Sequence, residues 1–149
     1  MNQETDILRE AIRHQLPEVD SAVDHFIMEA NMLSMIAEIG VSFVEGGVTR
    51  YQMMNSKASD LVEVHRAASY RPGLGTWFTL KIAVDRSGPV DVEIDYDDEP
   101  KWDFPVRDNY YADDFLRFPR DAAHAPEWLV AKLKEYEREL LEKGAQLPW

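Results

Sequence analysis

The side chains able to do chemistry crowd into one stretch of the chain. Between Asp91 and Asp121 stand eleven acids: Asp91, Glu93, Asp95, Asp97, Asp98, Glu99, Asp103, Asp108, Asp113, Asp114 and Asp121. Four bases oppose them, Lys101, Arg107, Arg117 and Arg120, and the local excess of seven is over half of the net charge of −12 carried by all 149 residues. Carboxylates at this density can move protons in pairs, hold a hard cation or attract a positive surface. Proton transfer needs a shifted pKa, and acids on an exposed strand face keep ordinary values. With no partner nucleophile beside them, they make no catalytic pair. A calcium loop needs oxygens at alternate positions, a glycine at the sharp turn and a later bidentate glutamate. Asp95-Tyr96-Asp97-Asp98-Glu99 supplies fragments of that pattern and Pro100 interrupts it, so no metal site is expected. Docking is what remains. Trp102, Phe104, Tyr110, Tyr111, Phe115 and Phe118 are interleaved with the acids, and aromatics anchor interfaces while acids steer a basic partner toward them. The competing reading is a solvated strand face followed by a loop whose aromatics cap the core.

Other chemistry finds little support. The histidines at 14, 25, 65 and 124 lie far apart and make no metal-ligand spacing. There is no cysteine, hence no thiol nucleophile, disulfide or cysteine-held metal. No nucleophile elbow, phosphate-binding loop or dinucleotide fingerprint occurs. Gly73-Leu74-Gly75 lacks a third glycine and precedes a strand, so it reads as a turn. The expectation is a protein with no catalytic residues and no cofactor. A strongly acidic chain repels phosphate backbones and anionic headgroups, which argues against direct contact with nucleic acid or membrane. The start, Met1-Asn2-Gln3-Glu4-Thr5-Asp6, is polar and acidic where a secretory signal needs a basic start and an apolar run. A cytoplasmic protein is expected.

The elements that must position these groups follow from periodicity. Thr5 can cap a first helix whose apolar residues Ile7, Leu8, Ala11, Ile12 and Leu16 recur at helical spacing, and Pro17 ends it. Residues 23–31 and 34–45 are mixed in period and read as two strands. Glu45-Gly46-Gly47 is a tight turn, and Val48 to Met54 returns as a hairpin strand. Leu61, Val62, Val64, His65 and Ala68 place a short second helix. The clearest pattern comes next. Phe78, Leu80, Ile82 and Val84 share one face of a strand. Across a turn at Arg86-Ser87-Gly88-Pro89, Val90, Val92, Ile94 and Tyr96 share one face and Asp91, Glu93 and Asp95 the other. Such alternation predicts an antiparallel hairpin with one apolar and one wet face. Residues 97–125, with Pro100, Pro105 and Pro119, show no clean period and read as a long irregular segment. Pro126 opens a final helix that Gly144 stops. The whole chain, 1–149, is expected to form one α+β domain. Its single antiparallel sheet of about five strands carries helices on one face, in the order αβββαββα.

Several of these stretches resemble one known family. Tyr70-Arg71-Pro72-Gly73-Leu74-Gly75-Thr76-Trp77-Phe78 and Ile94-Asp95-Tyr96-Asp97-Asp98-Glu99-Pro100 are similar to the second half of YezG-like immunity proteins, in order and spacing like their actinobacterial branch. Tyr111-Ala112-Asp113-Asp114, Phe118-Pro119-Arg120-Asp121 and Pro126-Glu127-Trp128-Leu129 share the likeness, which covers about residues 60–135. The resemblance implies an α+β antitoxin without catalytic residues or cofactor. Such a protein is encoded beside a polymorphic toxin, often a nuclease, and protects the producing cell by binding the toxin domain. Charge leads the same way. A toxin that handles nucleic acid or a dinucleotide needs a basic active-site cleft, and carboxylates can fill that cleft in place of phosphates. The expected partner is therefore a cognate toxin with such a cleft. The expected partner-binding residues are Asp95, Asp97, Asp98, Glu99, Trp102, Asp103, Tyr110, Tyr111, Asp113 and Asp114. The alternatives are a non-catalytic adaptor or self-associating domain, and a hydrolase using the carboxylate cluster with a divalent ion.

Overall fold

Asn2 rather than Thr5 caps the first helix: its side-chain oxygen accepts the Thr5 amide at 2.8 Å and satisfies one orphan donor of the first turn. The computed structural model describes residues 2–149. Helix α1 (Gln3–Gln15) buries Leu8 and Ala11 and runs into a 3-10 turn at Leu16–Glu18, where Pro17 closes it. Three strands follow, β1 (His25–Met32), β2 (Ala37–Glu45) and β3 (Val48–Gln52). Helix α2 (Ser56–Ala68) leads to β4 (Thr79–Asp85) and β5 (Asp91–Asp95). The five strands make one antiparallel sheet in the spatial order β3-β2-β1-β4-β5. This is the expected α+β architecture, with the expected succession of elements and one further helix near the end.

The mixed period of residues 23–45 resolves into strands because the sheet buries one row from each. Phe26, Met28, Ala30 and Met32 of β1 are buried, and Met28 lies in register between Val41 and Ile82. Ala30 sits likewise between Ile39 and Leu80. This row packs under α1 and α2, where Leu8, Ala11, Ala58 and Val62 complete the main core. Each fully buried Val, Leu, Ile, Phe or Met side chain here contributes about 1.5–3 kcal/mol. The β2–β3 turn needs positive φ at two successive positions, and Gly46 and Gly47 supply 58° and 77°.

The segment expected to be irregular contains a helix. Helix α3 (Asp108–Arg117) occupies its middle, followed by a 3-10 turn at Ala122–His124 and α4 (Glu127–Glu142). Its sequence signals are Asp108 in the first turn and the four-residue spacing of Tyr111 and Phe115. Asp114, on the buried side, disguises the apolar face. Helices α3 and α4 pair with each other, and around Leu33, Phe78, Tyr111 and Leu129 they build a second, smaller core. That core lies at the end of the sheet where β1 leaves and β4 enters, since the Met32 amide donates to the Phe78 carbonyl. The helices therefore leave one whole face of the sheet uncovered.

Candidate partner-binding surface

Most of the acids in the 95–121 stretch are engaged by the protein's own groups. Asp114 is buried, and its two carboxylate oxygens accept from Arg66 Nη1 and Nη2 at 2.6 and 2.9 Å. Ser34 adds its amide at 2.8 Å and its hydroxyl at 2.7 Å. Tyr111 is buried in the second core, where its hydroxyl accepts from Trp102 Nε1 at 2.9 Å, and burial pushes its phenol pKa up. Neither Tyr111 nor Asp114 can offer its side chain to a partner: contrary to the expectation, both are structural residues. Glu99 pairs with Lys132 at 3.0 Å, and Asp97 lies 3.5 Å from buried Arg120. Asp113 is 3.9 Å from Arg117 Nε, Asp121 pairs with His124, and Tyr110 and Trp102 pack half-buried on the second core. Asp95 accepts the amides of Asp97 and Asp98, both at 2.9 Å, which shapes the turn leaving β5. The Asp98 amide, then that of Asp97, holds the Asp95 pKa down, while hydrogen bonding to Asp95 and repulsion from it raise that of Asp98. Asp97, Asp98, Glu99, Asp103 and Asp121 remain exposed.

The residues that carry the family resemblance build this end of the molecule. Arg71 to Gly75 form a tight turn in which Arg71 and Gly75 exchange backbone bonds at 3.1 and 3.0 Å. Arg120 threads behind it and donates from Nη2 to the carbonyls of Thr76 and Tyr96, and from Nη1 to that of His124. Trp128 Nε1 donates to the Asp97 carbonyl at 2.7 Å. Trp77 is fully buried and donates to His65 Nδ1 at 3.0 Å. That bond fixes the tautomer: Nδ1 accepts, so the neutral ring carries its proton on Nε2. Burial lowers the His65 pKa, outweighing the charge of Glu4. A base with a lowered folded pKa contributes stability that is present above its unfolded value of about 6.5 and lost as pH falls toward the folded value. Urea unfolding is therefore expected to show stability falling as pH drops below about 6.5, with a smaller fall in His65→Gln.

A second group of acids gathers on the uncovered sheet face. Glu29 of β1, Glu38 of β2, Asp85 of β4 and Asp91, Glu93 and Asp95 of β5 share it by strand register. Against them the face carries Lys81, in register between Glu29 and Glu93, and His25, 3.6 Å from Asp85. The Ser87 amide, ahead of its hydroxyl and His25, holds Asp85 ionised to lower pH than usual. Exposed Tyr51 and Val44 and half-buried Ile27 supply apolar ground. Two open depressions of about 470 and 800 Å³ lie along this face, the first reached by Asp103, whose amide approaches the Glu38 carboxylate at 3.2 Å. Sequence reasoning found the β5 acids and missed Glu29, Glu38 and Asp85. Their signal was the polar row of β1 and β2, hidden while the period of those segments stayed ambiguous.

Among the described residues no group of three or more His, Asp or Glu side chains is placed to hold a metal ion, and no helix is long and apolar enough to cross a membrane. Neither a family model nor a curated protein matches this chain.

Proposed function

We propose that this chain is an immunity protein that neutralises a cognate toxin domain by presenting carboxylates to its basic active-site cleft. One observation carries the reading: the sheet face that no helix covers bears Glu29, Glu38, Asp85, Asp91, Glu93 and Asp95 against a single lysine, Lys81. Asp91, Glu93 and Asp95 follow one another along a single row of β5 and repel, and a cationic partner relieves that repulsion. The surface differs from the expected one. It extends from the segment behind β5, where Asp114 is buried against Arg66 while Asp97, Asp98 and Glu99 stay exposed, onto the sheet itself. In this reading the protein acts in the cytoplasm, by binding and without catalysis.

The test is co-expression with the toxin domain encoded next to it. Growth should be restored by the native chain. Replacing Glu29 and Glu93 with lysine should weaken binding about tenfold, mainly by slowing association, and flatten its dependence on salt. Failure of the native chain to restore growth rejects the function. Full binding by the charge-reversed chain rejects the face.

A further inference from the structure

Strand β5 ends the sheet. Its one strand neighbour is β4, and among the described residues no other element's backbone bonds to Asp91 through Ile94. An edge this open is a template for another strand. Its two rows of side chains differ in kind. Asp91, Glu93 and Asp95 lie on the uncovered face. Val92 and Ile94 face the helices, in register with buried Ile82 and Leu80, yet are 38% and 39% exposed themselves. They line a groove of about 460 Å³ between β5 and α1, with Leu8 and Ile12 on its other wall. His65, 1% exposed, also lines this groove. Its Nδ1 is taken by Trp77, and its Nε2–H has no hydrogen-bond partner among the described residues.

We propose that β5 accepts an extended strand of the partner protein in which apolar and basic side chains alternate. The apolar row fills the groove between α1 and β5, and the basic row meets Asp91, Glu93 and Asp95. For the identity of that partner the proposal rests on the immunity reading above. An added strand runs about 4.8 Å from β5, which places its helix-side residues beside Val92 and Ile94 and its other residues beside the acids. Opposite charges across such a pair stabilise it and like charges oppose it. A second copy of this chain is disfavoured on that ground, because pairing β5 with β5 sets the acidic rows against each other. The other edge, β3, offers Thr49 and Tyr51 on one face and Arg50 on the other, so it selects no basic strand. The His65 Nε2–H gives the groove one fixed donor for a polar acceptor on the incoming strand.

The probe is a synthetic peptide, Lys-Val-Lys-Ile-Lys-Val-Lys, titrated into the isotope-labelled full chain. The comparison peptide has the same composition with its lysines in one block. The alternating peptide is expected to slow amide exchange across residues 91–94, to shift the signals of Leu8 and Ile12, and to bind about tenfold more tightly than the blocked one. Asp91→Lys with Glu93→Lys should weaken it about tenfold. Equal binding by the two peptides, protection confined to β3, or a self-association that protects β5 would each overturn the proposal. Ile94→Glu separates this idea from the immunity reading, because the residue is half-exposed and retention of fold can be checked by circular dichroism. Growth rescue that persists undiminished in folded Ile94→Glu sinks strand addition alone. A peptide that seats on β5 while the native chain fails to restore growth sinks the immunity reading alone.

Discussion

Arg66→Met is expected to lower the unfolding free energy by about 3–5 kcal/mol, the cost of leaving a buried charge without its partner. Arg66 and Asp114 have side chains 3% and 6% exposed, and each nitrogen of the guanidinium that could be stranded is used. Nη1 and Nη2 meet the carboxylate, and Nε donates to the Trp77 carbonyl at 2.6 Å. The aromatic rings of Trp77, Phe78 and Phe118 surround the group, with centroids 5.9, 5.9 and 5.3 Å from it. With arginine gone, the Asp114 carboxylate keeps only the amide and hydroxyl of Ser34 in a site closed to water. Because the pair joins α2, α3, the β1–β2 turn and the entry to β4, its loss should loosen both cores together. Urea denaturation measures the effect as a lower midpoint with little change in slope. The double replacement Arg66→Met with Asp114→Leu should recover part of the loss, since an apolar pair carries no desolvation penalty. Recovery stays incomplete, because the Ser34 amide and Trp77 carbonyl lose their partners. A drop of less than about 1 kcal/mol in the single variant would mean that the charge finds water.

This ion pair also explains where the sequence could be read and where it could not. The hairpin of β4 and β5 was legible because Leu80, Ile82 and Val84 recur at every second position and Val90, Val92 and Ile94 alternate with acids, and a period of two can mean little else. Helix α3 was not. Of its buried residues Tyr111, Ala112 and Asp114, one is an acid whose reason for burial lies 48 positions away in Arg66. Local periodicity carries no trace of a partner that distant. The same gap put the buried Asp114 among the candidate site residues. Eleven acids within one stretch suggested a surface, but Asp114 is buried against Arg66, while Glu99 and Asp97 stay exposed beside Lys132 and Arg120. Proximity along the chain measured charge density and not availability. The acids of the uncovered face come from four strands that only the sheet brings together. The likeness to immunity proteins falls on residues now seen to build turns and cores: Gly73, Gly75, Trp77, Arg120 and Trp128. The structural roles of those residues are enough to account for their presence, so the proposed partner recognition rests on other positions such as Glu29, Glu38 and Glu93.

Gly75→Ala is expected to cost about 3 kcal/mol, against about 1 kcal/mol for the same change at Gly46. Both glycines have positive φ, 85° and 58°, so both lose the conformational freedom that only glycine has there. They differ in what a methyl group would meet. At Gly46 nothing lies within 4 Å, while at Gly75 the new carbon would stand 2.3 Å from Arg120 Nε and 2.8 Å from its Cγ. Arg120 cannot yield without loss. Its guanidinium is 4.9 Å from the Phe78 ring centroid and ties together the carbonyls of Thr76, Tyr96 and His124. Hydrogen bonds from a charged group are worth about 1.5–3 kcal/mol each, so losing even one adds to the backbone strain. Tyr96 directly follows β5, and Asp97 beside it also faces Arg120. Displacing the arginine should therefore loosen the turn that ends the acidic strand. Thermal unfolding of the two variants gives the ranking, and amide exchange gives the location. Faster exchange at residues 96–98 in Gly75→Ala, with no such change in Gly46→Ala, is the expected pattern. Equal destabilisation of the two variants would show that Arg120 moves aside freely and that the turn and the edge strand are not coupled through it.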